Sequence, residues 1–193
     1  MSGLEFLKKS ISLWFGYVAT MILGFFVFFI LINILSPEEY GNYSLVLSII
    51  ASLSLAFYSI ISDAITRFST ENDSPLYYGL FLELIFGFII ATILLILANQ
   101  IENIYNKPLS MIIRITSIVF LFTPFIESIK AFNLGKKRVL KVTIINLILQ
   151  ILLIVLYLLF FYYNRNAIFA ALAFVIANIF TFLFILKYIS FKK

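Results

Sequence analysis

Six long apolar runs, separated by short polar segments, constrain the fold of this chain more than any other feature of its sequence. A helix needs about 20 mainly apolar residues to cross the roughly 30 Å hydrocarbon core of a bilayer. Each run is long enough, and each break carries the proline, glycine, asparagine or charged residues that are typical of turns. The sequence therefore predicts an all-α, polytopic membrane protein in which a single domain, residues 1–193, contains six transmembrane spans: Ile11–Leu35, Tyr43–Thr66, Leu76–Ala98, Leu109–Lys130, Val142–Tyr163 and Ala167–Ser190.

The basic residues predict the orientation of these spans, because Lys and Arg collect in cytoplasmic segments. With the N-terminus inside, the inner segments contain all but three of the 14 Lys and Arg residues. Two of those three, Lys107 and Arg165, lie in outer loops, and Arg114 lies within span 4. We therefore expect both termini in the cytoplasm. The net charge of +5 acts first as an orientation signal, with anionic lipid at the inner surface as a further partner.

The composition excludes several classes of function. Charged residues make up 12% of the chain and hydrophobic residues 63%, whereas soluble domains have about 25% charged residues. An ordinary cytosolic enzyme and a nucleic-acid-binding domain are therefore excluded. The sequence has no Cys and no His, which removes the thiolate nucleophile, the commonest general base and the commonest metal ligands. We expect no enzyme activity, no catalytic residue, no cofactor and no metal site.

Charged residues within the spans are the first candidates for function. A charge at membrane depth is costly and usually faces the interior of a helix bundle or a wet cavity. Asp63 and Arg67 are four residues apart near the inner end of span 2, so they share a helix face and can form an ion pair. Glu83 and Glu127 reach similar depths if spans 2, 3 and 4 are neighbours, whereas Arg114 lies apart, towards the outer side. A substrate path and a set of structural ion pairs are both open interpretations.

Uncharged polar residues form two further patterns at helical spacing. On span 5, Asn146 and Gln150 are bulky amides one turn apart, and this favours a role in lining a substrate path. On span 3, Gly79 and Gly87 flank Glu83, which predicts close helix packing and a carboxyl buried in protein. Close helix packing is also the favoured interpretation of a stripe on span 2 that consists of Ser44, Ser48, Ser52, Ser59, Ser62 and Thr66.

Three short motifs together resemble segments of one transporter family. Between spans 1 and 2, the residues from Leu35 read L-S-P-E-E-Y-G-N-Y-S-L, and the family has L-x-P-x-E-Y-G-x-Y at this position. Ala64–Phe68 (A-I-T-R-F) is similar to the family's exit from the second helix, and Ala131–Arg138 (A-F-N-L-G-K-K-R) to its basic loop between helices 4 and 5. The chain thereby resembles the polysaccharide-biosynthesis flippases of the multidrug/oligosaccharidyl-lipid/polysaccharide exporter superfamily, over its whole length.

This resemblance implies a transporter that moves a lipid-linked oligosaccharide from the cytoplasmic to the outer leaflet by alternating access. Its expected location is the plasma (inner) membrane, in a prokaryote. Members of the family have two parallel helical lobes around a central cavity, where cationic groups meet the phosphate of the substrate. Arg67 lies on a matched motif and is carried over to that role, and Arg114 is a candidate from its position.

The chain departs from the family pattern in its length. Family members have two lobes, and six spans are enough for only one of them. We therefore expect an N-terminal half that belongs to a truncated chain, to a split transporter with a second six-helix polypeptide, or to a homodimer. Of these, truncation is favoured. Two alternatives stay open: a six-helix, vitamin-type binding subunit of an importer, and a remnant that transports nothing.

Overall fold

Every regular element in the described part of this chain is helical. The computed structural model describes the backbone of residues 3–70 and 74–188, with the side chains of residues 14–70 and 74–187. The predicted connection at residues 71–73 and the predicted end of span 6 at residues 189–190 lie outside the described residues. Within them, a 3-10 turn at Ile118–Leu121 separates α4 from α5, and the α-helices are α1 (Gly3–Ile34), α2 (Pro37–Phe68), α3 (Ser74–Tyr105), α4 (Ser110–Ser117), α5 (Thr123–Gly135), α6 (Val139–Tyr163) and α7 (Ala167–Tyr188).

These helices confirm the predicted fold of six membrane spans. In the described part of the chain, α1, α2, α3, α6 and α7 are each long and apolar enough to cross a membrane. The sixth span consists of α4 and α5, which pass the same test together and are bent by 42° at the break between them. Several helices extend beyond the apolar runs. The two largest extensions are at α1, which begins at Gly3 instead of Ile11, and at α3, which ends at Tyr105 instead of Ala98, because polar residues end an apolar run without ending a helix.

The bend between α4 and α5 has a local cause in the sequence. Pro124 has no backbone N–H, so the carbonyl of Phe120, four residues earlier, cannot receive the helical hydrogen bond that it would otherwise accept. Gly87 of α3 packs directly against this carbonyl, and a Cβ atom at Gly87 would overlap it. The close approach of α3 to the bend therefore requires a glycine.

The helices form two groups that are bridged by the bent span. On one side α6 packs between α1 and α7, and on the other α2 packs against α3. α4 and α5 lie between these groups, with α5 in contact with α2, α3, α6 and α7. α1 and α2 are consecutive in the chain but have few contacts, one of which joins the rings of Phe28 and Tyr40 near the turn between them.

The apolar core is concentrated in the outer half of the lobe. The main cluster extends from the outer ends of the spans to their middle, and the alanines in the first half of α7 (Ala167, Ala170, Ala171, Ala173 and Ala177) let the neighbouring helices approach closely. The inner half has a smaller cluster of three buried residues, Ile126, Ile145 and Ile185. The inner half therefore leaves more room for polar groups.

Candidate functional site

Glu83 lies at the contact between α2, α3 and α5 in the inner half. Its side chain is 0% exposed. The hydroxyl of Ser62 on α2 donates a hydrogen bond to Oε1 at 3.1 Å, and the hydroxyl of Ser128 on α5 donates to Oε2 at 2.5 Å. Gly79 and Gly87 lie one turn before and one turn after Glu83, and a Cβ atom at either would overlap the neighbouring segment. The predictions that these glycines pack closely and that Glu83 is buried in protein are confirmed.

A groove of about 460 Å³ opens between α2 and α5 beside this contact. Tyr58, Ser59 and Ser62 of α2 and Thr123 and Glu127 of α5 are among its lining residues. Tyr58 is 3% exposed, and its hydroxyl has no hydrogen-bond partner within residues 14–70 and 74–187. Since Ser62 both lines the groove and bonds Glu83, one hydroxyl separates the buried carboxyl from the groove.

Glu127 occupies the inner part of the same groove. Its Oε1 forms an ion pair with Nζ of Lys130, three residues later on α5, at 2.7 Å. Both side chains are partly exposed, so water screens this pair. Because α2, α3 and α5 contact one another, Glu83 and Glu127 lie close enough to interact electrostatically at the inner end of the lobe, as expected for neighbouring spans.

The predicted ion pair between Asp63 and Arg67 does not form. Both side chains are exposed on α2, and the ion pair found in the described part of the chain is the one between Glu127 and Lys130. Exposed charges gain little from pairing, because water screens them and the long side chains lose conformational freedom. The prediction that the two residues share a helix face follows from their spacing and agrees with their common exposure.

Half of the serine stripe on α2 is not covered by another helix in the described part of the chain. Ser48, Ser52 and Ser59 are exposed, and each donates its hydroxyl to the carbonyl four residues earlier in the same helix. Close packing is therefore the wrong interpretation of these three residues. At about 100° per residue, Asp63 and Arg67 fall within the same arc of roughly 100°. We call these five residues the polar face of α2.

Asn146 and Gln150 lie on the face of α6 that also carries Tyr157. Tyr157 points towards α2, where its hydroxyl and that of Tyr43 hydrogen-bond each other at 2.7 Å. Both amide side chains are partly buried. The Oε1 atom of Gln150 is buried without a partner among the described residues, so it is free to accept a hydrogen bond. Their role in lining a substrate path stays a prediction.

Arg114 lies apart from the residues of the inner half. Its side chain is exposed on α4, and one guanidinium nitrogen donates to Oδ1 of Asn99 on α3 at 3.1 Å. This contact belongs to the outer half and to the α3–α4 edge of the lobe. The structure therefore does not bring Arg114 to Arg67 or to the groove, and its part in a substrate path stays a prediction.

Polar contacts close the outer end of the lobe, and sequence reasoning missed them. Ser36 caps α2 by accepting a hydrogen bond from the backbone N–H of Glu39 at 3.2 Å. The carboxylate of Glu39 accepts a hydrogen bond at 2.6 Å from the backbone N–H of Ala167, at the start of α7. The first family motif thus has a structural role. The capping serine and the proline that follows it can be recognised in the sequence. The bond between Glu39 and a residue 128 positions away cannot.

The other two motifs pack against each other at the inner end. The hydroxyl of Thr66, in Ala64–Phe68, donates to the carbonyl of Ala131 at 3.2 Å. Gly135 lies against the carbonyl of Thr66, where a Cβ atom would overlap it. Segments that are individually weak as motifs therefore form one α2–α5 contact.

Comparisons with known proteins identify the relatives of this lobe. The family described as "Polysaccharide biosynthesis protein" matches residues 6–193. No curated protein matches the chain. The fold is similar to the outward-facing conformation of a multidrug resistance MATE family transporter of the MOP superfamily, with a TM-score of 0.78 and 18% identity over 95% of this chain and 44% of that one. It is also similar to MATE in complex with MaD3S, with a TM-score of 0.80 and 17% identity over 97% of this chain and 46% of that one.

Sequence identities of 18% and 17% are too low to infer the substrate of this chain from the two solved transporters, so both similarities concern the fold alone. The chain spans less than half the length of each solved transporter. Its six spans therefore have the fold of one lobe of a MATE-like transporter, as the sequence predicts.

Proposed function

Because the chain belongs to the polysaccharide biosynthesis protein family, we propose that it is the N-terminal lobe of a flippase that exports lipid-linked oligosaccharide by alternating access. It is a multi-pass membrane protein of a transporter family. The plasma membrane of a prokaryote is its proposed location. The family match and the MATE-like fold favour this function over that of a vitamin-binding importer subunit.

The observation that carries the proposal is the uncovered polar face of α2. Its serine hydroxyls and its charged residues Asp63 and Arg67 are exposed on a helix long enough to cross the membrane. Contact with lipid tails is unfavourable for such a face, and a water-filled cavity is favourable. A second lobe placed opposite α2 would enclose that cavity, whether it comes from a longer chain, a separate polypeptide or a second copy.

The substrate class agrees with the chemistry of this face. Sugar hydroxyls can exchange hydrogen bonds with serine hydroxyls, with Asp63 and with the amides of Asn146 and Gln150. A phosphate group can bind the guanidinium of Arg67, which forms no ion pair in the described part of the chain. Glu127 lies at the inner end of the path. Arg114, on the outer half, is proposed to meet the phosphate after the headgroup has crossed.

The experiment is complementation of a deletion strain of the source organism, with surface polysaccharide and outer-leaflet glycolipid as readouts. We expect Arg67→Ala to lower export at least about tenfold, because a hydrogen bond to a charged group contributes roughly 1.5–3 kcal/mol. Lys137→Ala is the matched control, since it removes an inner basic residue outside α2. Unchanged export by Arg67→Ala at a normal membrane level would contradict the role of Arg67. A deletion without any effect on polysaccharide, together with a copurified vitamin, would overturn the proposed function.

A further inference from the structure

Glu83 is a group that the proposed substrate path does not use. It is fully buried, whereas Asp63, Arg67 and Glu127 reach the surface of the lobe. We propose that Glu83 is a proton-binding site of the lobe, and that it exchanges its proton with the groove between α2 and α5 through the hydroxyl of Ser62.

The surroundings of Glu83 favour a bound proton. An ionised carboxylate enclosed in protein is costly unless a cation balances it. Among the described side chains, no Lys or Arg forms an ion pair with Glu83. Within residues 14–70 and 74–187, the titratable groups that interact with it are Tyr58 on α2 and Glu127 on α5, and neither can supply a positive charge. Ser62 and Ser128 hold the carboxyl in place but leave it without a counter-ion.

A route for the proton leads from Glu83 to the groove. The Ser62 oxygen lies 3.1 Å from Oε1 of Glu83, and Ser62 is also part of the groove wall. The groove, of about 460 Å³, has room for on the order of ten water molecules. Tyr58 also lines this groove, but its hydroxyl is buried beside Gly87, one turn after Glu83, without a partner among the described residues. A water molecule in the groove would find the hydroxyl-bearing side chains of Ser59, Ser62 and Thr123 along its wall.

The transfer step leaves no charge on the serine. When Oε1 carries the proton, its O–H donates to the Ser62 oxygen and the Ser62 hydroxyl turns towards a water molecule in the groove. The carboxyl O–H bond then breaks and its proton joins the Ser62 oxygen, while the original hydroxyl proton of Ser62 passes to that water molecule. The Ser62 hydroxyl afterwards donates to Oε1 of the ionised carboxylate. The carboxylate is then ionised and the groove carries the proton. The reverse step reloads the site with the same atoms.

Proton release changes the charge, and with it the electrostatic energy, at the contact of three helices. It places a negative charge between α2, α3 and α5, so it favours an arrangement in which water reaches Glu83. A link between that rearrangement and substrate movement rests on the proposed function, whereas proton binding by Glu83 does not.

The test is infrared difference spectroscopy of the full chain in lipid nanodiscs, over a pH titration. We expect a C=O band of a protonated carboxyl, which Glu83→Gln removes and Glu127→Gln retains, because Glu127 is partly exposed and paired with Lys130. If Glu83→Gln does not fold, Ser128→Ala keeps the carboxyl but removes one of its hydrogen bonds, so the band is expected to shift. Absence of the band from the unmodified chain, or its survival in Glu83→Gln, would overturn the site. So would an unshifted band in folded Ser128→Ala.

The route has a separate readout in the rate at which this band shifts in D2O. We expect Ser62→Ala to slow the exchange severalfold. Ser48→Ala is the matched control, because its hydroxyl is exposed and bonds its own helix. Equal exchange rates in the two variants would overturn the route through Ser62. A band that behaves as expected, together with a deletion strain whose surface polysaccharide is unchanged, would contradict the proposed function alone.

Discussion

The outer and inner halves of this lobe are held together in different ways. In the outer half, a large apolar cluster surrounds polar groups that are paired with one another, such as Tyr43 with Tyr157 and Glu39 with the start of α7. In the inner half, a small cluster lies beside a buried carboxyl and a groove. The difference indicates that direct contacts between helices hold the outer half of the lobe together, while the inner half accommodates a buried carboxyl and a groove.

The strongest test of this difference is the packing of α3 beside the bend. We expect Gly87→Ala to lower the free energy of unfolding by about 1–3 kcal/mol, because the added methyl group overlaps the carbonyl of Phe120. Gly24→Ala is the control, since nothing lies within 4 Å of a Cβ atom there and the helix propensity of alanine is better than that of glycine. Both are measured by thermal unfolding of the full chain in detergent. An equal effect of the two changes would mean that α3 is loosely packed in the inner half.

The outer half is tested at the pair of buried tyrosines. We expect Tyr43→Phe to cost about 1–2 kcal/mol of unfolding free energy, because the hydroxyl of Tyr157 then stays buried without its partner. The double variant Tyr43→Phe/Tyr157→Phe removes both hydroxyls and is expected to recover part of this loss. A double-mutant cycle measures the coupling between the two hydroxyls. Strictly additive losses would show that this hydrogen bond does not hold α2 to α6.

A smaller effect is expected where α2 meets α7 at the outer end. Glu39→Ala removes the carboxylate that accepts the N–H of Ala167, and loss of such a helix cap costs typically about 1 kcal/mol. Glu38→Ala is the matched control, because Glu38 is the neighbouring acidic residue and is exposed. The free energy of unfolding of both variants is measured by thermal unfolding of the full chain in detergent. A loss as large in Glu38→Ala as in Glu39→Ala would assign the effect to negative charge at the start of α2 instead.

The spans were predictable because each helix satisfies its own backbone, so an apolar run of sufficient length determines it locally. The burial of Glu83 was also predictable, since glycines one turn before and after it mark a close helix contact. The hydrogen-bond partners of Glu83 and Glu39 were not predictable. They lie on other helices, and their positions depend on how each helix is rotated.

The serine stripe shows the limit of periodicity most clearly. Spacings of three and four residues place side chains on one face of a helix, but they do not say where that face points. The same pattern suits a tight helix contact and a wall of an aqueous path. On α2 both occur, because Ser62 bonds Glu83 in the interior whereas Ser48, Ser52 and Ser59 are exposed. The direction of the face depends on the packing of α2 against α3 and α5.

The smallest effect on stability is expected on the polar face itself. Ser52→Leu changes an exposed residue whose hydroxyl bonds its own helix, so we expect the unfolding free energy to change by less than about 0.5 kcal/mol. Export of glycolipid is nevertheless expected to fall severalfold, because the change places an apolar side chain in the proposed aqueous path. Thr92→Leu on α3 is the matched control: it also replaces an exposed hydroxyl that bonds its own helix, but lies outside this face. If Ser52→Leu stabilises the chain and leaves export unchanged, the polar face of α2 contacts lipid and the aqueous path lies elsewhere.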